Sequence, residues 1–383
     1  MNLSEVYITR TSSFYPNDPV SNDEMEEYLG VINEQASKSR RIVLRNNGIK
    51  SRHYAIQKDG TPTHTNAEMV ALAIRNLFSA DPTELKQVDL LSCGTSSPDQ
   101  MMPSHAVMVH GWLPESNNIE VVSPSGVCCS GMHAFKYAYM SVRLGQAKKA
   151  VTSGSERLSR LLRSDQFELE VQKMGELEAN PYLAFEKDFL RWMLSDGAAT
   201  FLLEDKKRED GGLSMRVEWI EGFSFANEAE ACMYMASDKL PDGTLKSYMD
   251  YAPKELIDHS ILSIKQDVKL LGENIVKLGF KKLKLVFDEK NLKADEVTYF
   301  LPHMSSHFFE DKIYDALVEY QIEIPKERWY TNLSTKGNVG AGSIYLMLDE
   351  LYTSGRLKAS DKILLAVPES SRFSYVFSLL TVC

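Results

Sequence analysis

The chain has 383 residues, 43% of them hydrophobic and 25% charged, an ordinary globular balance that can bury a sizeable core without disulfide or metal staples. Its formal net charge of −10 argues against nucleic acid as a partner of the whole chain, and no run of about 18 apolar residues offers a membrane span. The five cysteines are odd in number, irregularly spaced and free of C-x-x-C pairs, so zinc and dithiol chemistry lack support and a reduced, cytoplasmic setting is expected.

The opening stretch "MNLSEVYITRTSSFYP" has no basic-then-apolar leader. "VDLLSCG" (Val88–Gly94) and "NIEVVS" (Asn118–Ser123) predict buried strands, the second running into a Ser-Pro-Ser-Gly turn. From Ser130 the apolar residues Met132, Phe135, Tyr139 and Val142 recur at helical spacing, with Gly145 as the stop. "KAVTSGSE" (Lys149–Glu156) and "SDGAATFLLED" (Ser195–Asp205) predict further strands. "KKREDGGLS" (Lys206–Ser214) is charged and glycine-bearing and predicts the internal boundary, between halves 1–205 and 215–383. In the second half "KLKLVFD" (Lys282–Asp288), "VTYFLPH" (Val297–His303), "KILLAVP" (Lys362–Pro368) and "FSYVFSLLTV" (Phe373–Val382) predict strands, with helices over Ile261–Leu278 and Gly342–Leu357. This alternation predicts an α/β chain with largely parallel central sheets, and the shared rhythm of the halves predicts a duplicated architecture.

Three segments carry chemistry. "SPSGVCCSGMHAF" puts Cys128 and Cys129 at the first turn of a helix, where unpaired N–H groups and the positive end of the dipole favour a thiolate. Neighbouring cysteines rarely bond each other, so they read as two separate thiols, and packing alone accounts for either one in isolation. A thiolate nucleophile needs an imidazole and an orienting amide. "FLPHMSSHFF" supplies His303 just beyond an apolar strand, and "NLSTKGNVGAGS" supplies Asn338 in a glycine-rich turn before a helix. Singly, these read as a satisfied histidine and a turn residue.

Six segments in order give the chain a resemblance to the β-ketoacyl-acyl-carrier-protein synthase III enzymes of the thiolase-like superfamily. "NNGIKSRHYA" is similar to that family's T-G-I-x-x-R-H, "CCSGMHAF" to its A-C-A-G-F turn and "VTSGSERLSR" to its V-G-S-[DE] strand. "SDGAAT" is similar to G-D-G-A-G-A, "PHMSSH" to P-H-Q-A-N and "GNVGAGS" to G-N-T-S-A-A-S. The resemblance implies a duplicated α/β/α/β/α five-layered sandwich and a homodimer, with neither metal nor organic cofactor. It implies Cys129 as the nucleophile, followed by Ser130 and Gly131, with Cys128 as a small core residue behind it. His303 and Asn338 take the remaining catalytic positions, the Cys129 N–H contributes to the oxyanion hole, and Met102 and Pro103 match a loop reaching into the partner's pocket. The activity implied is Claisen condensation between an acyl group on Cys129 and a carrier-protein-bound malonyl or β-ketoacyl thioester. The partners implied are acyl carrier protein and acyl thioesters. The alternatives are ester or amide formation through the same cysteine, or a non-catalytic supporting subunit of a heterodimer.

The chain departs from the family at several places. "SSRFSY" stands where a glycine loop would be, which makes Ser371 and Arg372 candidate substrate contacts. Ser306 and then His307 follow His303 where the family has H-Q-A-N. Ile42 and Asn46 stand at the positions of the Trp and Arg that clasp coenzyme A, which favours a carrier protein as donor. Lys148, Lys149, Arg157, Arg160, Arg163 and the run Lys277–Lys284 are the candidate docking surface for it. The segment Leu161–Leu190 is long, and an insertion there is expected to shape the acyl entrance. Together these departures point to specialised lipid or polyketide synthesis, of the kind performed by the ring-forming ketosynthases of dialkylresorcinols.

Overall fold

A computed structural model describes residues 3–31, 40–166, 190–258 and 261–383. Most of the 161–190 segment, and with it the expected insertion, lies outside the described residues.

Nine strands form one continuous sheet: β1 (Tyr7–Phe14), β2 (Leu90–Gly94), β3 (Glu120–Val122), β4 (Lys149–Glu156), β5 (Gly197–Glu204), β6 (Met215–Ser224), β7 (Tyr299–Pro302), β8 (Lys362–Glu369) and β9 (Ser374–Val382). Their order is β7-β8-β9-β6-β1-β5-β4-β2-β3. Only two residue pairs, Tyr7 with Arg216 and Ile8 with Met215, join β1 to β6. That short seam divides the sheet into β1-β5-β4-β2-β3 and β6-β9-β8-β7. The two parts repeat one pattern: two antiparallel pairings followed by a parallel one. The parallel pairing of β2 with β3 is echoed in the second part by a parallel bridge between Phe300 and Trp329. The sheets are therefore mixed rather than largely parallel. The expectation failed because an apolar run reads the same in a parallel strand and in an antiparallel strand buried on both faces.

The principal helices are α1 (Asn66–Leu77), α2 (His105–Gly111), α3 (Cys129–Arg143), α4 (Val268–Glu289), α5 (Glu310–Glu319) and α6 (Ser343–Thr353). α3 packs on β2 and β4 of the first part and on β8 and β9 of the second, while α6 packs on β1, β4, β5 and β7. The two form the middle layer. α1 covers the outer face of the first part and α4 that of the second, α2 and α5 packing beside them, so the layering is the α/β/α/β/α sandwich of the thiolase fold. Among the described residues no helix is long and apolar enough to cross a membrane.

"KLKLVFD", expected as a strand, is the last part of α4. Leu271, Ile275, Gly279, Phe280, Leu283, Val286 and Phe287 are its buried residues. Their three- and four-residue spacing marks a helix once the flanking turn is included, and the seven-residue window was too short to reveal it.

Asp196 at the entry to β5 is fully buried and accepts four hydrogen bonds. They come from the N–H groups of Ala55 (2.6 Å), Leu158 (2.6 Å) and Ser159 (2.9 Å), and from Ser159 Oγ (2.5 Å). Burial pushes its carboxyl above the usual range, and the donors oppose that. Asp196→Ala leaves these donors unpaired in the core. It is expected to cost on the order of 3–5 kcal/mol, read as a lowered urea midpoint.

Candidate active site

The turn before α3, the segment after β7 and the end of β8 meet around one cavity. The cavity has a volume of about 50 Å³ and is lined by Cys128, His303, Met304, Ser305, Pro368 and Ser370, with apolar side chains of α4 and α5 closing it.

The two cysteines of the pair have different surroundings. Cys129, expected to be the reactive thiol, is fully buried, and its Sγ donates to the Val367 carbonyl at 3.3 Å. It packs in the central core with Met132 and Phe135. Cys128 is only partly buried and is the thiol on the cavity wall. One residue along a helix turns a side chain by about 100°, so neighbouring residues at a helix start meet different surroundings. Gly131 admits the close packing behind them, since a Cβ there would lie 2.4 Å from the Ala341 carbonyl oxygen.

His303 is buried, and its N–H donates to the Ala366 carbonyl at 2.8 Å. Its Nδ1 has no partner among the described residues. Burial pulls its imidazole down to about 4, so it is neutral at neutral pH. Asn338 is buried beside Ser195 and Met193, which exchange backbone hydrogen bonds with it. Its Oδ1 accepts from the Gly340 N–H at 2.9 Å, so Nδ2 is the donor end left for a ligand.

A residue the sequence reading missed is Glu369, the last residue of β8. Its Oε2 accepts from the N–H groups of Val127 and Cys129, both at 3.0 Å, and its Oε1 accepts from Ser371 Oγ at 2.5 Å. Strand alternation turns Pro368 and Ser370 to the cavity and Glu369 to the head of α3. The Cys129 N–H, expected in the oxyanion hole, is therefore already engaged. The expected thiolate-favouring environment is also reversed. Burial, then the carboxylates of Glu369 and Glu156, pushes the Cys128 thiol well above its ordinary value. Burial and Glu369 do the same to Cys129.

The other expected contacts lie elsewhere. Arg372 is exposed, and its Nε donates to the Ala229 carbonyl at 2.8 Å. The Ser371 carbonyl accepts from the N–H groups of Cys232 and Met233. The four-residue turn between β8 and β9 is thus stitched to residues 229–233. It closes with buried Phe373 in the left-handed region at φ 57°, which swings Arg372 outward. Met102 is 86% exposed and takes no part in the chain's own cavity. His307 faces Glu310 and Ser334, at 2.9 and 3.0 Å, rather than the site. Ile42 and Asn46 are exposed. Much of the proposed basic surface is already paired: Lys149 with Glu84 and Glu204, Arg157 with Asp99, and Arg160 and Arg163 with Asp165.

A second buried imidazole, His105, meets Ser155 Oγ through Nε2 at 3.2 Å and is also pulled down to about 4 by burial. Its folded-state value lies below the usual 6.5, so the unfolded chain binds the extra proton between those values and stability falls as pH falls. Between pH 7.5 and pH 5 the wild type is expected to lose about 2 kcal/mol more than a His105→Asn variant, measured by urea unfolding at both pH values.

The architecture is that of the thiolase fold, and Cys128 and His303 share one cavity wall at its element ends. A family described as 3-Oxoacyl-[acyl-carrier-protein (ACP)] synthase III C terminal matches residues 287–367. The β-ketoacyl-[acyl-carrier-protein] synthase III of Clostridium perfringens is 22% identical over 357 residues, covering 92% of both chains. Two solved structures share the fold. AbyA1, a tetronic acid condensing enzyme, has a TM-score of 0.75 at 18% identity and covers 98% of this chain and 99% of its own. OleA of Xanthomonas campestris, solved with lauric acid and lauroyl-CoA, has a TM-score of 0.73 at 16% identity with the same coverage. The chain is thus similar to 3-oxoacyl-[acyl-carrier-protein] synthase III proteins over most of its length and shares the thiolase fold.

Proposed function

We propose that the chain is a ketosynthase that forms a carbon–carbon bond between two acyl thioesters, with Cys128 as the acylated residue. The observation that carries this reading is the shared cavity wall of Cys128 and His303. In the first step the Cys128 sulfur gives up its proton and attacks a thioester carbonyl. The carrier thiolate leaves, takes a proton, and an acyl-Cys128 thioester remains. In the second step the α-carbon of another thioester loses carbon dioxide or a proton to become an enolate. That carbon attacks the acyl carbonyl, and the Cys128 thiolate leaves and is reprotonated.

His303 and Asn338 donate to the enolate oxygen. A neutral imidazole has one N–H, and placing it on Nε2 leaves Nδ1 as an unpaired acceptor, cheaper in a dry site than an unpaired donor. Donors fixed in advance at the developing charge supply the catalysis.

The apolar wall of Leu271, Ile275, Phe280, Phe309 and Ile313 suits alkyl chains. With the missing glycine loop, it supports specialised synthesis of the dialkylresorcinol kind, in which one partner is a β-ketoacyl thioester. We infer acyl carrier protein as the donor and a homodimer as the assembly. The test is incubation with acyl-carrier proteins and either malonyl- or β-ketoacyl-carrier protein, with products identified by mass spectrometry. A chain-joined diketone or resorcinol supports the reading. An ester or amide product would replace it with acyl transfer to oxygen or nitrogen.

A further inference from the structure

Outside the cavity, three side chains form one hydrogen-bonded chain. Ser334 Oγ lies 3.0 Å from His307 Nε2, and His307 Nδ1 lies 2.9 Å from Glu310 Oε2. None of the three lines the cavity. Ser334 comes from the short helical turn Leu333–Lys336, His307 from the turn that follows Ser306, and Glu310 is the first residue of α5. A histidine and a glutamate three residues apart are ordinary neighbours on a helical turn. The serine, brought to the other ring nitrogen from a separate element, is what local spacing does not supply.

Charge sets the direction of both bonds. The second oxygen of Glu310 pairs with Lys326 at 3.6 Å, so the carboxylate acts as an acceptor. Nδ1 therefore carries the ring proton and donates it to Glu310, which leaves a lone pair on Nε2. Ser334 meets that lone pair by donating its O–H. This is the order of a nucleophile, a base and a group that orients the base. The arrangement is held from behind. The Lys50 N–H donates to the Ser334 carbonyl and Ser51 Oγ to the Thr335 carbonyl, both at 2.8 Å. Gly48, in the left-handed region at φ 68°, backs the imidazole, and a Cβ there would lie 2.8 Å from His307 Cδ2. Solvent reaches the chain, since the His307 side chain is 24% exposed and that of Glu310 35%. No acceptor among the described residues meets the Ser334 N–H.

We propose that Ser334, His307 and Glu310 form a second catalytic centre, a serine esterase site acting on small acyl esters and thioesters. Ser334 Oγ gives its proton to His307 Nε2 as its oxygen bonds to the acyl carbon, and the free Ser334 N–H receives the carbonyl oxygen as charge develops on it. The imidazolium returns that proton to the departing alcohol or thiol, and an acyl-Ser334 ester remains. Water then gives a proton to Nε2 and attacks the ester. The Ser334 oxygen leaves, takes the proton back, and a carboxylic acid is released. Glu310 is a positioning residue that holds the tautomer. The open face suits short acyl groups. The centre stands whichever thiol of the cysteine pair is acylated.

The test uses the full-length Cys128→Ala/Cys129→Ala chain, which removes thiol chemistry from the cavity. One sample is treated with a fluorophosphonate and mapped by peptide mass, and another is assayed with p-nitrophenyl acetate. The phosphonyl group is expected on Ser334. Ser334→Ala and His307→Gln in that background are each expected to lower the kcat of ester hydrolysis at least about 30-fold. Glu310→Gln is expected to lower it at least about tenfold with KM within about twofold. Failure to label Ser334, or hydrolysis unchanged in Ser334→Ala, overturns the proposal. If the double cysteine variant does not fold, labelling of the wild type decides alone, because the mapped residue distinguishes Ser334 from either cysteine.

Discussion

Replacing Cys128 with alanine is expected to lower turnover by at least about 10⁴-fold, with the protein still folded, whereas Cys129→Ala keeps turnover within about tenfold of wild type. The asymmetry follows from where the two sulfurs sit. Cys128 is at the cavity, and its removal takes away the atom that forms the acyl bond. Cys129 is closed off between α3 and β8, its thiol spent on the Val367 carbonyl. Truncating it removes one sulfur from the core, a stability loss on the order of 1–2 kcal/mol that lowers the melting temperature more than the rate. Steady-state turnover with a carrier-protein thioester, set beside a melting curve for each variant, distinguishes the two roles. The reverse pattern, with Cys129→Ala inactive and Cys128→Ala active, would overturn the assignment.

His303→Ala and Asn338→Ala are expected to lower the condensation step by about 10²–10⁴-fold each while leaving acylation of the cysteine within about tenfold. The split is expected because donors at the enolate oxygen act only after the first acyl group is in place. The pH dependence carries its own signature. Burial lowers the His303 imidazole from 6.5 to about 4, so it gains its second proton only below about pH 5. Condensation by preformed acyl-enzyme should therefore show no acid limb from this group between pH 5.5 and 8. Single-turnover rates of acyl-enzyme with the second thioester, measured across that range, check it. A fall in rate centred near pH 6.5 would mean that the imidazole is solvated and carries charge during the reaction.

Much of this was legible in the sequence because local chemistry specified it. "KAVTSGSE" is β4 residue for residue, the helix after the cysteine pair runs as its apolar spacing predicts, and His303 follows β7 directly. What escaped were relations of orientation and distance. Sequence does not give the rotational phase of a helix start, and that phase decides which of two adjacent thiols meets a cavity. Glu369 stood in plain view beside the altered glycine loop, yet its partners are about 240 positions away along the chain. Arg372 looked like a substrate contact, but beside the left-handed Phe373 it donates to the Ala229 carbonyl instead.

The measurement that bears most directly on the central claim is peptide mapping of wild-type protein after exposure to an acyl-carrier protein, with the acylated residue assigned by fragmentation. The account predicts one acyl group, on Cys128, with Cys129 unmodified. Acylation of Cys129, or of neither cysteine with any donor across a range of chain lengths, would contradict it.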